Sequence, residues 1–171
     1  YEYVMMYLSR AEGEGLVIKP THRVVMNLGP MGIEEFLEKL KRQFNVEKIP
    51  SEGISALGHQ EFAVLTKDSI FRVSLRESVN RPPAHYKNLA VILLHTLVFG
   101  EIIEDAGIFY TKSLEEVFSL VKSGEYRLGF ILPPLRAVDV FEFVSSGEKM
   151  PHKTTYFYPK LLSGLVFHLL G

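Results

Sequence analysis

The stretch Met150-Pro-His-Lys-Thr-Thr-Tyr-Phe-Tyr-Pro-Lys160, closed by Ser163-Gly164, crowds cations, hydroxyls and aromatic rings between two prolines. Lys153 and Lys160 have long reach, and Arg23 adds a third cation from a second basic stretch, Pro20-Thr21-His22-Arg23. Arginine offers a planar fork and lysine a mobile point charge. With the hydroxyls of Thr154 and Thr155 they can hold a phosphate or a carboxylate. Pro151 and Pro159 restrict the intervening backbone, which lowers the entropic cost of presenting those groups. Tyr156 and Tyr158 alternate with Phe157, so in an extended segment the two tyrosines share one face, which can stack a nucleobase. A plainer assignment stays open, with the tyrosines at the edge of the core and the lysines solvated.

His22 and His152 are the acid-base candidates, since both lie next to a cation and close to a proline in expected loops. A lone loop histidine is more often a hydrogen-bonding structural residue. No pair among the six histidines has the spacing of a helix-borne zinc motif and there is no cysteine, so no metal site is expected. His95, inside an apolar run, reads as a buried histidine bonded to a backbone carbonyl. Thr111-Lys112-Ser113 joins the carboxyl end of an expected strand to a helix N-terminus, where N–H groups attract anions, but such junctions are common and a plain helix cap is the favoured reading. Gly29-Pro-Met-Gly32 lacks the Gly-Lys-Ser/Thr ending of a phosphate loop, and no Gly-x-Ser-x-Gly nucleophile elbow is present.

The elements that must position these residues follow from periodicity. Tyr3 to Leu8 and Leu16 to Lys19 read as strands, with Val24 to Met26 continuing after Pro20. Ile33, Phe36, Leu37, Leu40 and Phe44 fall on one helical face, supported by Glu35/Lys39 and Glu38/Arg42 pairs four apart, which predicts a surface helix covering a sheet. Asn45 to Ile49 reads as a short strand, and Phe62 to Thr66 with Ile70 to Arg76 as a hairpin. Leu89 to Phe99 is the most apolar segment. At about a dozen residues it is too short to span a bilayer, which takes roughly twenty, so it predicts a helix buried in the core or pressed against a partner.

The last third carries an imperfect repeat. Glu116-Val-Phe-Ser-Leu-Val-Lys-Ser-Gly-Glu125 returns as Asp139-Val-Phe-Glu-Phe-Val-Ser-Ser-Gly-Glu148. Each copy predicts a helix ending in glycine, and Ser113 and Glu116 have capping-box spacing. Each helix follows an apolar strand, Ile108 to Tyr110 and Leu128 to Leu132, and a third strand, Leu165 to Leu170, follows the basic segment. The succession predicts crossovers and a partly parallel sheet beside the antiparallel hairpin. The expected fold class is therefore α/β, or α+β, with residues 1–171 forming a single globular domain whose mixed β-sheet is covered by helices.

A length of 171 residues with 47% apolar and 23% charged residues and a net charge of −1 has the balance of an ordinary globular domain. It lacks the strongly basic character of a nucleic-acid binder, so no nucleic acid polymer is expected as a partner, and no membrane. The absence of cysteine points to an intracellular, cytoplasmic protein. The chain opens at Tyr1 inside an expected strand, which reads as the C-terminal part of something longer.

Tyr3-Val-Met-Met-Tyr-Leu, then Gly15-Leu-Val-Ile-Lys-Pro-Thr-His-Arg-Val-Val25, and finally Gly147 to Lys160 with Ser163-Gly164-Leu165, resemble the DUF1015 family. This is a large bacterial and archaeal family carried as a domain of unknown function. The resemblance covers essentially the whole chain, and Leu94-His95 also fits the pattern. Family members are more than twice this length, and their first half ends in an Ala-Asp-Gly-His-His-Arg type motif similar to one in ParB-like and serine-kinase proteins. That motif is absent here. The resemblance thus implies that this chain is the C-terminal half, that the missing N-terminal half is its partner, and that the whole handles phosphorylated ligands, with ATP or another phosphorylated ligand as cofactor. Two expectations from different classes follow. One is a phosphate- or nucleotide-handling, phosphotransferase-like enzyme that binds a small anionic ligand through Arg23, Lys153, Thr154, Thr155, Tyr156, Tyr158 and Lys160. The other is a structural or assembly module, for which a homodimer is expected.

Overall fold

Residues 6, 8, 10, 17–77, 79, 89–103, 107–160, 162, 164 and 167 are described by the computed structural model. In chain order the elements are β1 (Val17–Lys19), β2 (His22–Val25), α1 (Ile33–Gln43), β3 (Phe44–Ile49), a 3-10 turn (Ser51–Ala56), β4 (Glu61–Leu65) and β5 (Ile70–Leu75). There follow α2 (Ala90–Leu93), running into a π-helical stretch (Leu94–Phe99), then β6 (Ile108–Thr111), α3 (Leu114–Ser123), β7 (Leu128–Ile131), α4 (Ala137–Ser145) and β8 (Tyr156–Tyr158).

Six strands form one sheet in the order β3-β5-β4-β7-β2-β6, and β1 pairs with β8 in a separate two-stranded ribbon. The period of two sends alternate side chains to opposite faces. Phe62, Val64, Leu128 and Phe130 join the core under α1 and the α2–π helix, while Ala63, Leu65 and Ile131 join a second core under α3. Both faces are thus covered, which is why β4 and β7 read as near-continuous apolar runs. Phe130 sits at the centre of the larger core, edge-on to Phe36 at 6.2 Å and to Phe99 at 5.3 Å. Gly129 permits the closest approach on the other face, because a Cβ there would meet Val117 Cγ1 at 2.6 Å.

The fold is α+β, and every pairing in the larger sheet is antiparallel. This corrects the expected parallel pairing. β6 and β7 do point the same way, but β2 lies between them and bonds to both, so α3 crosses over one intervening strand. The reason is burial: all four residues of β2 are buried, which a central position supplies and an edge does not. The expected strands at 3–8 and 165–170 rest mainly on residues outside the described ones, as does Leu16.

Most local signals in the helices hold, but α1 ends at Gln43, and Phe44, expected on its apolar face, is extended and opens β3. α1 buries Phe36 and Leu40, and Glu35 pairs with Lys39 at 3.1 Å. Glu38 turns to Lys41 at 2.7 Å in place of the expected Arg42. The repeat has a structural meaning, since Glu116 and Asp139 each occupy the third position of their helix. Its two glycines, Gly124 and Gly147, both adopt φ +83°, the left-handed conformation that ends a helix. The α2–π helix packs inside the chain with Ala90 to Leu94, Leu97 and Val98 buried, so most of its length is a core element, with Thr96 exposed.

Candidate functional site

β6 is an edge strand of the larger sheet, bonded to β2 alone among the described residues. The β1–β8 ribbon stands near it, and the space between them is a groove of about 650 Å³. β6 and its junction with α3 contribute Tyr110, Thr111 and Lys112. The turn before β8 contributes Lys153 and Thr155, β8 itself Tyr156, and the segment beyond it Lys160. Thr21, between β1 and β2, completes the wall.

Tyr156 organises the cations. Lys112 Nζ lies 4.0 Å and Lys160 Nζ 4.5 Å from the centre of its ring, although the two lysines come from different segments. A hydrogen bond from Lys112 holds the Tyr156 phenol below its ordinary range, and the charges of Lys112, Lys160 and Lys19 add to that effect. In the ribbon Lys19 is paired with Tyr156, and its Nζ lies 4.3 Å from the ring of Tyr158, a diagonal neighbour. The face expected to stack a nucleobase is therefore already covered by ammonium groups. Glu116 also lines the groove, and its carboxylate accepts from the Thr111 hydroxyl. Ser113 N–H donates to Thr111 Oγ1 at 3.0 Å and Glu116 N–H to Ser113 Oγ at 3.1 Å, so these helix N–H groups are capped within the chain.

Arg23 lies beneath this groove and does not line it. Its side chain is fully buried, and its guanidinium donates to the carbonyl of Thr21 and, at 3.3 Å, to that of Lys153. The Tyr110 ring is 5.4 Å away. No carboxylate pairs with it among the described residues, and its Nε is buried without a partner. Burial lowers its pKa to about 10, which leaves it a cation at neutral pH, and the nearby Tyr110 phenol opposes that shift. Arg23 thus ties together three residues of the wall above it. Lys153 is held at φ +58°, an unusual conformation for a side-chain-bearing residue.

The remaining residues singled out by the sequence lie elsewhere. His22 is in strand β2, not in a loop, and is buried; Leu132 N–H donates to its Nδ1 at 3.2 Å. Burial, then the charge of Arg23, lowers its pKa to about 4, so at neutral pH it is an uncharged structural acceptor with that lone pair already engaged. This corrects its reading as a loop acid or base. Thr154 is buried and donates to the Pro151 carbonyl at 2.5 Å, closing the turn that carries Lys153. Tyr158 sits outside the groove under Lys19. His152 is exposed, with its ring edge-on to Tyr110 at 6.2 Å. His95 has a buried Nε2 without a hydrogen-bond partner, in place of the expected carbonyl bond; burial lowers its pKa to about 4, helped by Arg23 and His152. Lys112 is the residue that reading the basic segment alone undervalued. Its signal was the strand-to-helix junction.

An α+β domain with a basic groove beside strand β6, an edge of the sheet among the described residues, is the class that fold and site define. The chain belongs to the DUF1015 family of proteins of unknown function, whose profile matches residues 1–96. That span contains Pro20 to Arg23 and stops before the 150–160 segment. Among solved structures, a free serine kinase in complex with AMP is similar, with a TM-score of 0.53 at 21% identity over 83% of this chain and 54% of that one. A mutant of that kinase with AMP gives the same values. A conserved hypothetical protein from Pyrococcus furiosus has a TM-score of 0.53 at 20% identity over 85% of this chain and 57% of its own. At that identity the likeness is one of fold, and the chain spans little more than half the length of these structures. No curated protein matches. Among the described residues no helix is long and apolar enough to cross a membrane.

Proposed function

We propose that this domain binds the phosphate portion of a small phosphorylated ligand, a nucleotide in the first instance, in the groove between β6 and the β1–β8 ribbon. It would do so as part of a longer phosphotransferase-like enzyme. The observation that carries this reading is the convergence of Lys112 and Lys160 on the ring of Tyr156, with Lys153 in the same wall. Like charges gathered with one engaged carboxylate among them favour an anion, and charge-assisted hydrogen bonds from lysine to phosphate are among the stronger polar contacts available. Lys112, Lys153 and Lys160 are the cationic ligands in this reading, Thr21 and Thr155 the hydroxyl donors, and Arg23 the support beneath. His152 is the remaining acid-base candidate, and a further part of the longer protein supplies the rest of the catalytic apparatus. The AMP in the similar free serine kinase structures supports a nucleotide-type ligand.

Thermal unfolding in the presence of ATP, ADP, pyrophosphate and sulfate tests this. A ligand bound only by the native state raises the midpoint with occupancy. The expected result is a saturable rise that is lost in Lys112→Ala; no rise with any of the four overturns the proposal.

A second reading, an assembly module, has one observation in its favour. Helix α4 sends Phe143 into the core yet leaves Val138, Phe141 and Val144 at 41%, 59% and 52% exposure. Sedimentation of wild type and Phe141→Glu across a wide concentration range separates the two readings, since only the assembly role expects a wild-type dimer that the charge abolishes.

A further inference from the structure

Stacking of a nucleobase needs an open ring face, and the tyrosine rings in and beside the groove already have cations or another ring against them. The Tyr156 ring carries Lys112 and Lys160, the Tyr158 ring carries Lys19, and Tyr110 has the Arg23 guanidinium to one side and the edge of His152 against it. What the groove has in quantity is positive charge from separate segments. Lys112 enters from the β6–α3 junction, Lys153 from the turn before β8 and Lys160 from beyond it, while Arg23 adds a buried charge below without a carboxylate partner among the described residues. Glu116, the acidic residue in the lining, is occupied by Thr111. A single phosphoryl group can meet Lys112 and Lys160 where they converge on the Tyr156 ring, whereas a chain of two or three can also engage Lys153 in the same wall.

We infer that the groove selects its ligand by the number of phosphoryl groups and not by the base. Its ligand class is a di- or triphosphate chain, accepted as inorganic pyrophosphate or tripolyphosphate on the same terms as the phosphate end of a nucleotide. The inference rests on the anion-binding reading and sharpens it. On binding, the oligophosphate draws Lys112 and Lys160 from the Tyr156 ring to its own oxygens, exchanging a cation–π contact for a charge-assisted hydrogen bond. Phe109 is where a base-reading site would reveal itself. It lies at the rim, 40% exposed, with no cation over it among the described residues. It points to the opposite side of β6 from Tyr110 and leans on Tyr126 at 6.1 Å.

The test is calorimetric titration of this chain, at fixed ionic strength, with orthophosphate, pyrophosphate, tripolyphosphate, ADP, GDP and adenosine. Pyrophosphate, ADP and GDP are expected to bind within about threefold of one another, orthophosphate at least about tenfold more weakly, and adenosine not at all. Lys112→Ala and Lys160→Ala should weaken pyrophosphate and ADP by the same factor, and Phe109→Ala should change neither. ADP bound about tenfold or more tightly than pyrophosphate, or adenosine bound at all, or ADP binding lost in Phe109→Ala, overturns the inference while leaving the anion-binding reading intact. If wild type binds none of the six, both are overturned.

Discussion

Strand β2 contains both regions of the molecule in four residues. Val24 and Val25 are buried by apolar neighbours on the two faces of the sheet, whereas His22 and Arg23 are buried with hydrogen bonds to backbone groups. The sheet core is held by many weak, non-directional contacts, so that a loss is felt in proportion to the volume removed. The groove rests on a few directional contacts in which cations are matched by carbonyl oxygens and ring faces more than by carboxylates. One region is complete in itself; the other has positive charge left over, which is what a ligand can use.

That contrast can be broken from either side. Phe130→Ala removes the ring at the centre of the larger core and should cost about 3–5 kcal/mol in urea unfolding; a loss much below this would mean that the aromatic cluster repacks as freely as a surface. The pH dependence of stability comes next. The pKa of His22 is about 4 in the folded protein against 6.5 as its ordinary value, so the unfolded chain binds the extra proton between those pH values. Its contribution is fully present above pH 6.5 and is lost as pH falls towards 4. The size is on the order of 3 kcal/mol. Urea midpoints at pH 7 and pH 4.5 should differ in that direction, and the difference should shrink in His22→Gln.

Gly129→Ala drives a methyl group against Val117 and should destabilise by about 1–3 kcal/mol, while pyrophosphate binding per folded molecule is unchanged. Arg23→Met sharpens the comparison most, because it exchanges a buried cation for a side chain of similar length. The apolar replacement offsets desolvation but strands the carbonyls of Thr21 and Lys153. The expected outcome is a small change in melting temperature with faster amide exchange in residues 152–155 and about tenfold weaker pyrophosphate binding, whereas unchanged exchange there would show that Arg23 does not support the turn. The smallest effect is expected for Lys19→Ala, which uncovers Tyr158 outside the groove and should weaken pyrophosphate by no more than about twofold.

Periodicity and caps made most elements legible. The run Ile70 to Arg76 marked a real strand, the apolar face from Ile33 a real helix although Phe44 falls beyond it, and the glycines of the repeat two real helix ends. These signals are local, carried within a few residues of where they act. The position of β2 between β6 and β7 was not legible, because strand order depends on which apolar runs find two neighbours, and Pro20 obscured the strand that follows it. In the site, Lys153, Thr155, Tyr156 and Lys160 were found by their crowding and do lie together, and Lys112 was visible only as part of a helix cap.

The sequence by itself determined which residues are cationic, aromatic or apolar and, through glycines in the left-handed conformation, where the two helices of the repeat stop. Only the tertiary structure decided which cations face solvent. Arg23 and Lys153 look alike as ligands when read along the chain, yet one is fully buried and the other lines the groove. That division follows from the sheet: the central place of β2 draws its side chains inward, and the edge position of β6 leaves room for a groove beside it.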